Sequence, residues 1–419
     1  MRQESLLAHE NVSIQYGLIE TSLQFAELRE SWNALLDESG ISSPFLTWEW
    51  MFCWWISYGE KDRNNSLCVV LAYEEDEVVG ILPGYIKKQK VFGCPVSTFL
   101  FLGSEYESSD YLDVIRKDTD DVDIISGLFQ TLIKEKKIDR VALYNILEDQ
   151  SILDATDKFA KQIQAQTIVK PYAICPYLPI DCDWDSFVNG LSKNQRYNLR
   201  RRTRKLLNEF QAQISMLEDP GELETAVDEL FQLHEDRFKT KQGQSIFRAD
   251  LRKDFHKIIS HCFLEKDILR LFRLSVDDKT IASLYCYEFA NKLFYFQFGM
   301  DPAWAKHSPG VVIMGQGIKY AIDKELDLFD FMRGEEDYKF KWTDKIRNMV
   351  TVDLAVTQKG KQMLALREFG LGIKNSIKAI IPSKIWNSLK QLKAMMQTTT
   401  LSCHLSISTY FWLVGGEIN

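Results

Sequence analysis

Glycine and proline are scarce in this 419-residue chain, at 21 and 10. That excludes collagen-like and linker-dominated architectures and leaves enough chain for two hydrophobic cores. No apolar run reaches the ~18–20 residues that a membrane-spanning helix needs, and the closing "LSISTYFWLVGGEIN" is too short to cross a bilayer. The opening "MRQESLLAHENVS" lacks the charged-then-apolar order of a secretory signal. Cysteine occurs at eight positions, but no CxxC pair exists and several thiols sit in apolar runs. This predicts reduced thiols in a cytoplasmic protein rather than a disulfide framework or a zinc site. His256 and His261 stand five apart, not at the i, i+4 spacing of a metal pair, so no metal is expected. GxSxG, Walker, HExxH and G-x-G-x-x-G patterns are all missing. A net charge of -8 argues against general DNA binding.

What the chain does have is aromatic side chains (12%) and alternating helix and strand patterns. Residues 12–18 alternate as a strand, and 21–38 carry helical spacing. "SPFLTWEWMFCWW" opens on Ser-Pro, as helices do. "LCVVLAYEEDEVVGILPGYIKK" predicts a hairpin turning at Glu74–Glu77, and "STFLFLG" a further strand. Helices over 120–136 and 153–166 flank the strand "DRVALYNI", and "IVKPYAICPYLPI" reads as an extended connection between halves. The second half predicts helices over 184–210, 222–240 and 249–265, then three strands with turns at Asp277–Lys279 and Ala290–Lys292. A helix over 311–323 and the strands "LDLFDFM" and "RNMVTVDLAVTQ" follow. The order is similar in both halves, which predicts two related domains, 1–175 and 176–358, followed by a basic segment, 359–419. Between Lys359 and Lys393 eight basic residues face the single acid Glu368. That segment fits either a packed terminal helix or peripheral contact of 359–396 with anionic lipid.

Four stretches carry candidate chemistry. Ser308-Pro309-Gly310 opens the helix expected over 311–323. Serine is a favoured cap, and proline suits the first helical position because it has no N–H to lose. Val311 stands where a capping box would put Glu or Gln. The amides of Gly310, Val311 and Val312 are therefore expected to stay open to an external phosphate, which the helix dipole favours. A plain capped helix with water at its mouth is the alternative. In "FDFMRGEEDYKFKW", Tyr338 could serve as a general acid and Arg333 or Lys339 could offset phosphate charge, against a simple solvated turn. In "LSKNQRYNLRRRTRKLLNEF", seven basic residues fall between Lys193 and Lys205, opposite Leu199, Leu206 and Phe210. That stripe suits the phosphates of a nucleotide, a lipid-linked sugar or RNA, or is a solvated face. In "TWEWMFCWW", Trp48 and Trp50 either face a sugar or acyl chain or fill an interface between the halves. Tyr106 and Asp110 in "SEYESSDYLD" follow a strand, where a substrate hydroxyl or amine could bind.

In their order, "LSKNQRYNLRRRTRKL", "LFQLHEDRF", "LRLFRLSVDDKTIASLYCYEFANKLFYFQFGMDP", "HSPGVVIMGQGIKYAI" and "LFDFMRGEEDYKFKW" resemble the GNAT-related acyltransferase domain of the CelD-like polysaccharide-biosynthesis proteins. Those proteins are similar to the FemAB-type aminoacyl transferases. The resemblance covers about residues 190–345, and "PFLTWEWMFCWW" and "VVGILPGYI" extend it into the first half. It implies an α+β (mixed α/β) fold of two GNAT-like domains, each a mixed twisted sheet flanked by helices. It implies transfer of an acyl group from acetyl-CoA or another acyl-CoA to an amine on a sugar or cell-envelope precursor, in the cytoplasm or at the inner face of the membrane. Carried onto this chain, the donor lies along Leu293–Gly299, including Phe298 and Gly299, with its phosphates at Ser308, Pro309, Gly310, Val311 and Val312 near Arg333 and Lys339. Tyr338 is the implied acid, and Glu288 or Gln297, through water, the implied base. Arg237 joins Trp48, Trp50, Tyr106 and Asp110 on the acceptor side. "HSPG" stands where GNAT enzymes usually carry an Arg/Gln-x-x-Gly-x-Gly/Ala loop. The FemAB branch would instead imply charged tRNA as donor, with Arg200–Lys205 on the RNA. A non-catalytic partner in polysaccharide synthesis is a third reading.

Overall fold

Alternating β-branched and aromatic runs become fifteen strands in this computed structural model, which describes residues 14–380 apart from Phe92, Ser108, 119–121 and 241–244. The first half supplies β1 (Gln15–Ile19), β2 (Asn65–Leu67), β3 (Val69–Glu74), β4 (Glu77–Leu82), β5 (Gly84–Val91), β6 (Cys94–Phe101), β7 (Ile115–Arg116) and β8 (Arg140–Leu147). Around them lie α1 (Ser22–Glu27), α2 (Arg29–Glu38), α3 (Trp48–Trp54), α4 (Val122–Glu135) and α5 (Ile152–Gln162). Strand β9 (Gln166–Pro179) leads into α6 (Trp184–Gly190), α7 (Lys193–Arg204), β10 (Gln213–Met216), α8 (Leu223–Thr240) and α9 (Asp250–Glu265). The meander β11 (Leu269–Val276), β12 (Lys279–Phe289) and β13 (Lys292–Met300) precedes α10 (Pro309–Asp323), β14 (Leu328–Asp330), β15 (Ile346–Ala355) and α11 (Gln358–Ile380).

Four strands form one sheet in the order β1-β3-β4-β7, and the other eleven form a single mixed sheet, β10-β11-β12-β13-β14-β9-β15-β8-β6-β5-β2. The segment expected as an extended connection is the 14-residue β9. Ten of its first eleven residues pair with β15, Tyr172 being skipped, and its last three pair with β14. Pro171 and Pro176 disguise it, since proline donates nothing to a ladder, and the register shifts at Met349/Val350 beside Pro171. The 175/176 division therefore falls inside a strand shared by both halves. The last strand, β15, inserts between β8 and β9 of the first half.

The single helix expected over 184–210 is broken. Leu191 is extended, and Ser192 caps α7 through a reciprocal box with Gln195. That S-x-x-Q signature was present in the sequence. In α11, Lys359 pairs with Asp139 at 2.9 Å and Arg367 with Asp353 at 2.6 Å. Part of the basic segment is thus docked by ion pairs on Asp139, just before β8, and on Asp353 of β15. Residues 381–396 of the expected lipid-contact segment, with the tail beyond, lie outside the described residues. No helix among the described residues is long and apolar enough to cross a membrane.

Strand periodicity places two cores on opposite faces of the β11–β13 meander. Tyr285 and Tyr287 point toward Leu230 of α8 and Phe255 of α9, while Leu284 and Cys286 point toward Ile313 and Ile318 of α10. The first core continues across the halves. Trp50 is fully buried, with the rings of Phe45, Phe255, Phe263, Tyr287 and Phe296 centred 4.8–6.0 Å away. It has no face left for a sugar, which corrects its assignment to the acceptor site. Trp48 stacks on Phe52 at 4.4 Å and donates to the Phe25 carbonyl, so its ring is also spent on packing.

Helix α8 crosses β13 closely. A Cβ at Gly299 would lie 2.7 Å from Leu233 Cβ and 2.8 Å from the His234 amide nitrogen. Gly299→Val should lower stability by roughly 1–3 kcal/mol through overpacking. A urea midpoint unchanged from wild type would show that α8 does not press on this strand.

Candidate active site

Strand β13 pairs with β14, in parallel, only through Lys292, Leu293 and Phe294. Its other edge stays on β12 as far as Met300, but the register shifts so that Phe296 has no opposite residue. Past Phe294 one edge of β13 thus has no strand neighbour among the described residues, and the bulge bends it. The loop after β14 covers that edge at one point: the Tyr338 hydroxyl lies 3.1 Å from that of Tyr295. Lys339 fixes the loop. Its buried ammonium donates to the carbonyls of Met332 at 3.2 Å and Arg333 at 2.6 Å, and pairs with Glu336 at 3.0 Å. Burial pushes the Tyr338 phenol up to about 12, so it holds its proton at neutral pH.

Gln297 is oriented from behind. The Phe247 amide donates to Ser245 Oγ at 3.1 Å, and Ser245 Oγ lies 2.7 Å from His234 Nδ1. His234 Nε2 in turn lies 3.1 Å from Gln297 Oε1. Since the Gln297 oxygen accepts, Nε2 carries the proton and Nδ1 accepts from serine. The Gln297 carbonyl is then occupied, and its NH2 group is the end left for a ligand. An amide gains no proton at neutral pH, so Gln297 is a donor here and not the expected base. Arg237 sits beside it, donating to the Phe298 carbonyl at 3.2 Å with its guanidinium 4.9 Å from the Phe298 ring centre.

The mouth of α10 differs from expectation in two respects. Ser308 is left-handed (φ 55°), and its hydroxyl makes no capping bond. The Val311 amide, expected to be open, donates to the Ser308 carbonyl at 3.0 Å. Gly310 is explained by packing, because a Cβ there would lie 2.8 Å from Phe298 Cζ. Pro309 and Val312 are buried. Helix α7 runs alongside: Leu199 would be 3.0 Å from a Cβ at Gly315, and the Phe210 ring is 4.6 Å from His307. Among the described residues no carboxylate lies within 4.0 Å of Arg196, Arg200, Arg201 or Arg204. Arg196 and Arg200 instead donate to Asn189, at 2.6 and 3.2 Å, and Arg201 rests on the exposed ring of Tyr197.

Other expected residues lie elsewhere. Glu288 accepts from Arg270 Nε and Tyr320 OH, both at 2.7 Å, and stands opposite Leu293, three residues along β12 from Tyr285, the partner of Gln297. It is an ion-pair partner rather than a base at the open edge. Asp110 is 2% exposed, lies 3.4 Å from Arg333 Nε, and is pushed upward by burial against the pull of Arg333. Arg333 and Lys339 therefore answer a buried carboxylate and backbone carbonyls rather than a phosphate. Tyr106 stacks on Tyr58 at 5.0 Å and is 37% exposed. Sequence reasoning missed His234, Ser245 and Tyr295. A signal for His234 existed, because Leu230, Leu233, His234 and Arg237 follow the i, i+3, i+4, i+7 spacing of one helix face. Among the described residues no group of three or more His, Cys, Asp or Glu could hold a metal.

Residues 193–340, from the start of α7 through the loop carrying Tyr338, match the family described as an acetyltransferase (GNAT) domain. The chain carries an acyltransferase domain of the GNAT type. No curated protein matches the chain in sequence. Among solved structures, FemX is similar at a TM-score of 0.56 and 11% identity, covering 84% of this chain and 99% of its own. A conserved protein of unknown function from Bacteroides thetaiotaomicron gives 0.51 and 10%, covering 81% and 100%. The C-terminal domain of a protein named as a lysylphosphatidylglycerol synthetase, from Agrobacterium fabrum, gives 0.50 and 12%, covering 82% and 95%. At these identities the likeness is one of fold. It extends the mixed α/β architecture of the GNAT domain to both halves of the chain.

Burial, reinforced by Arg237, pushes His234 down to about 4 from 6.5. The unfolded chain therefore takes up a proton between those values that the folded chain refuses, and stability falls as pH drops through that window. The effect amounts to ~3 kcal/mol at full development. His234→Gln should lose less stability than wild type between pH 7 and pH 4.5 in urea melts. Parallel pH profiles would place the acid-sensitive group elsewhere.

Proposed function

We propose that the GNAT domain transfers an acyl group from an acyl-CoA to the amine of an amino sugar or related envelope or exopolysaccharide precursor. The observation that supports this most is the open edge of β13 past Phe294, with a protonated Tyr338 over it and Gln297 beneath. A thioester laid along that edge meets backbone groups that no neighbouring strand has taken. The amine attacks the carbonyl carbon, the C–N bond forms and the C–S bond breaks. Backbone N–H groups of β13 and the Gln297 NH2 donate to the oxygen as it gains charge. The ammonium proton passes to water, and Tyr338 gives its proton to the departing sulfur. The pantetheine and diphosphate of the donor would extend toward the mouth of α10, where the left-handed Ser308 leaves its hydroxyl uncommitted as a cap.

Acetyl-CoA at a hundred times its Kd should stabilise the protein by about 2.7 kcal/mol, because only the folded state binds it. The absence of a melting shift with every acyl-CoA tried would remove the proposal. Tyr338→Phe should lower kcat ~10²-fold while leaving acyl-CoA affinity within twofold of wild type, by titration and steady-state kinetics. Unaltered turnover would reject the acid role.

A second reading, with charged tRNA as donor, draws on the stripe Arg196, Arg200, Arg201 and Arg204, which no carboxylate neutralises among the described residues. Arginine forks and an exposed tyrosine suit phosphate and base alike. Under the leading proposal, uncharged tRNA leaves the melting temperature unchanged at 150 mM salt. A tight, salt-sensitive complex that Arg200→Glu with Arg204→Glu abolishes would favour the second reading.

A further inference from the structure

A cavity of about 700 Å3 opens between the halves and shares no lining residue with the candidate transfer site. The first half contributes the loop before α3 with Ser42, the buried Asp113 with Arg116 of β7, and the turn with Gln150. The second half contributes two cations, Lys292 at the start of β13 and Arg347 near the start of β15.

The lining holds four acids, Asp113, Glu148, Asp149 and Asp154, and three cations, Arg116, Lys292 and Arg347, but they are unevenly paired. Asp113 is already answered by Arg116, 3.4 Å away and itself buried. Asp330 accepts from Tyr111 at 2.8 Å and from the Met332 amide at 2.7 Å. It stands only 3.9 Å from Arg347, whose guanidinium otherwise rests 4.4 Å from the centre of the Tyr177 ring. Lys292 donates to the Ser42 hydroxyl, and among the described residues no carboxylate lies within 4.0 Å of its ammonium. Burial, and then the neighbouring Arg347, lower the Lys292 ammonium below its usual value against the pull of Asp327 and Asp330. The remaining acids of the cavity, Glu148, Asp149 and Asp154, are exposed to solvent. A half-buried ammonium beside a second cation costs free energy, and Asp327 and Asp330 offset that cost only in part, since the ammonium is still lowered. Gln150 adds a buried carbonyl oxygen that accepts no hydrogen bond among the described residues.

We propose that this cavity binds a sugar-sized polyhydroxy ligand bearing one anionic group, phosphate or carboxylate, held between Lys292 and Arg347. Its volume lies in the range of small-molecule sites. A guanidinium fork and an ammonium fit either anion, while Ser42 and Gln150 are placed to meet hydroxyl groups. A ligand there touches both halves and ties them together.

The test uses the full-length protein at low ionic strength, titrated with glucose 6-phosphate, glucuronate, glucose and inorganic phosphate, for wild type and Lys292→Met. At least one of the two charged sugars should bind wild type ten times or more tightly than glucose, and which one does so tells phosphate from carboxylate. In Lys292→Met that preference should vanish. Without ligand, the variant should melt no lower than wild type, because it has lost a desolvated cation and kept the volume. The proposal is overturned if no anionic probe distinguishes wild type from the variant. It is equally overturned if the variant alone melts several degrees lower, since Lys292 would then be a structural donor to Ser42.

Discussion

Strand β13 keeps its parallel neighbour for three residues and then runs on alone, and the candidate site depends on that divergence. Peptide groups in a sheet normally satisfy one another, so an edge without a strand at the centre of a large sheet is a costly feature unless something else meets it. Here the bulge at Phe296 bends the strand, and the loop after β14 lays Tyr338 against Tyr295. The loop is held by Lys339 on two carbonyls and by Arg333 on Asp110. The charged residues of "MRGEEDYKFKW" thus do mechanical service, and they hold the phenol of Tyr338 against that of Tyr295.

The two halves are joined by covalent and non-covalent means at once. Strand β9 belongs to both sets of strands, and β15 returns to complete the sheet of the first half. Trp50 carries the aromatic packing of α3 into that of α9 and β13. Rigid-body separation of the halves would expose this seam and the buried Asp110–Arg333 pair together. The same closeness brings Lys292 and Arg347 to a cavity whose other walls come from the first half.

Much of the architecture was legible. The hairpin over Glu74–Glu77, the three-stranded meander and α10 follow from periodicity and turn residues. The prolines of β9 conceal a central strand, and the long basic run masks the S-x-x-Q box that starts α7. The site was legible only in outline. The segment that becomes β13 and the loop bearing Tyr338 do meet, through Tyr295, whereas Glu288 and Trp50, chosen by chemical type, are committed to Arg270 and to the core. His234 was hidden because a histidine on an apolar helix face reads as core until its partners are known.

By itself the sequence determined which segments alternate with period two, which follow a helical period, and where glycine and proline interrupt them, because those properties depend on neighbours along the chain. It also determined that the stretch from α7 to Tyr338 is of GNAT type. Tertiary structure alone decided which polar groups are already answered. Glu288 meets Arg270, Asp110 meets Arg333, Gln297 meets His234, and Lys292 meets a hydroxyl, with no carboxylate within 4.0 Å among the described residues. Those partners lie from 18 to 250 residues apart in the chain. The free energy of a buried charge is set by what lies within a few ångströms of it, which no local pattern records.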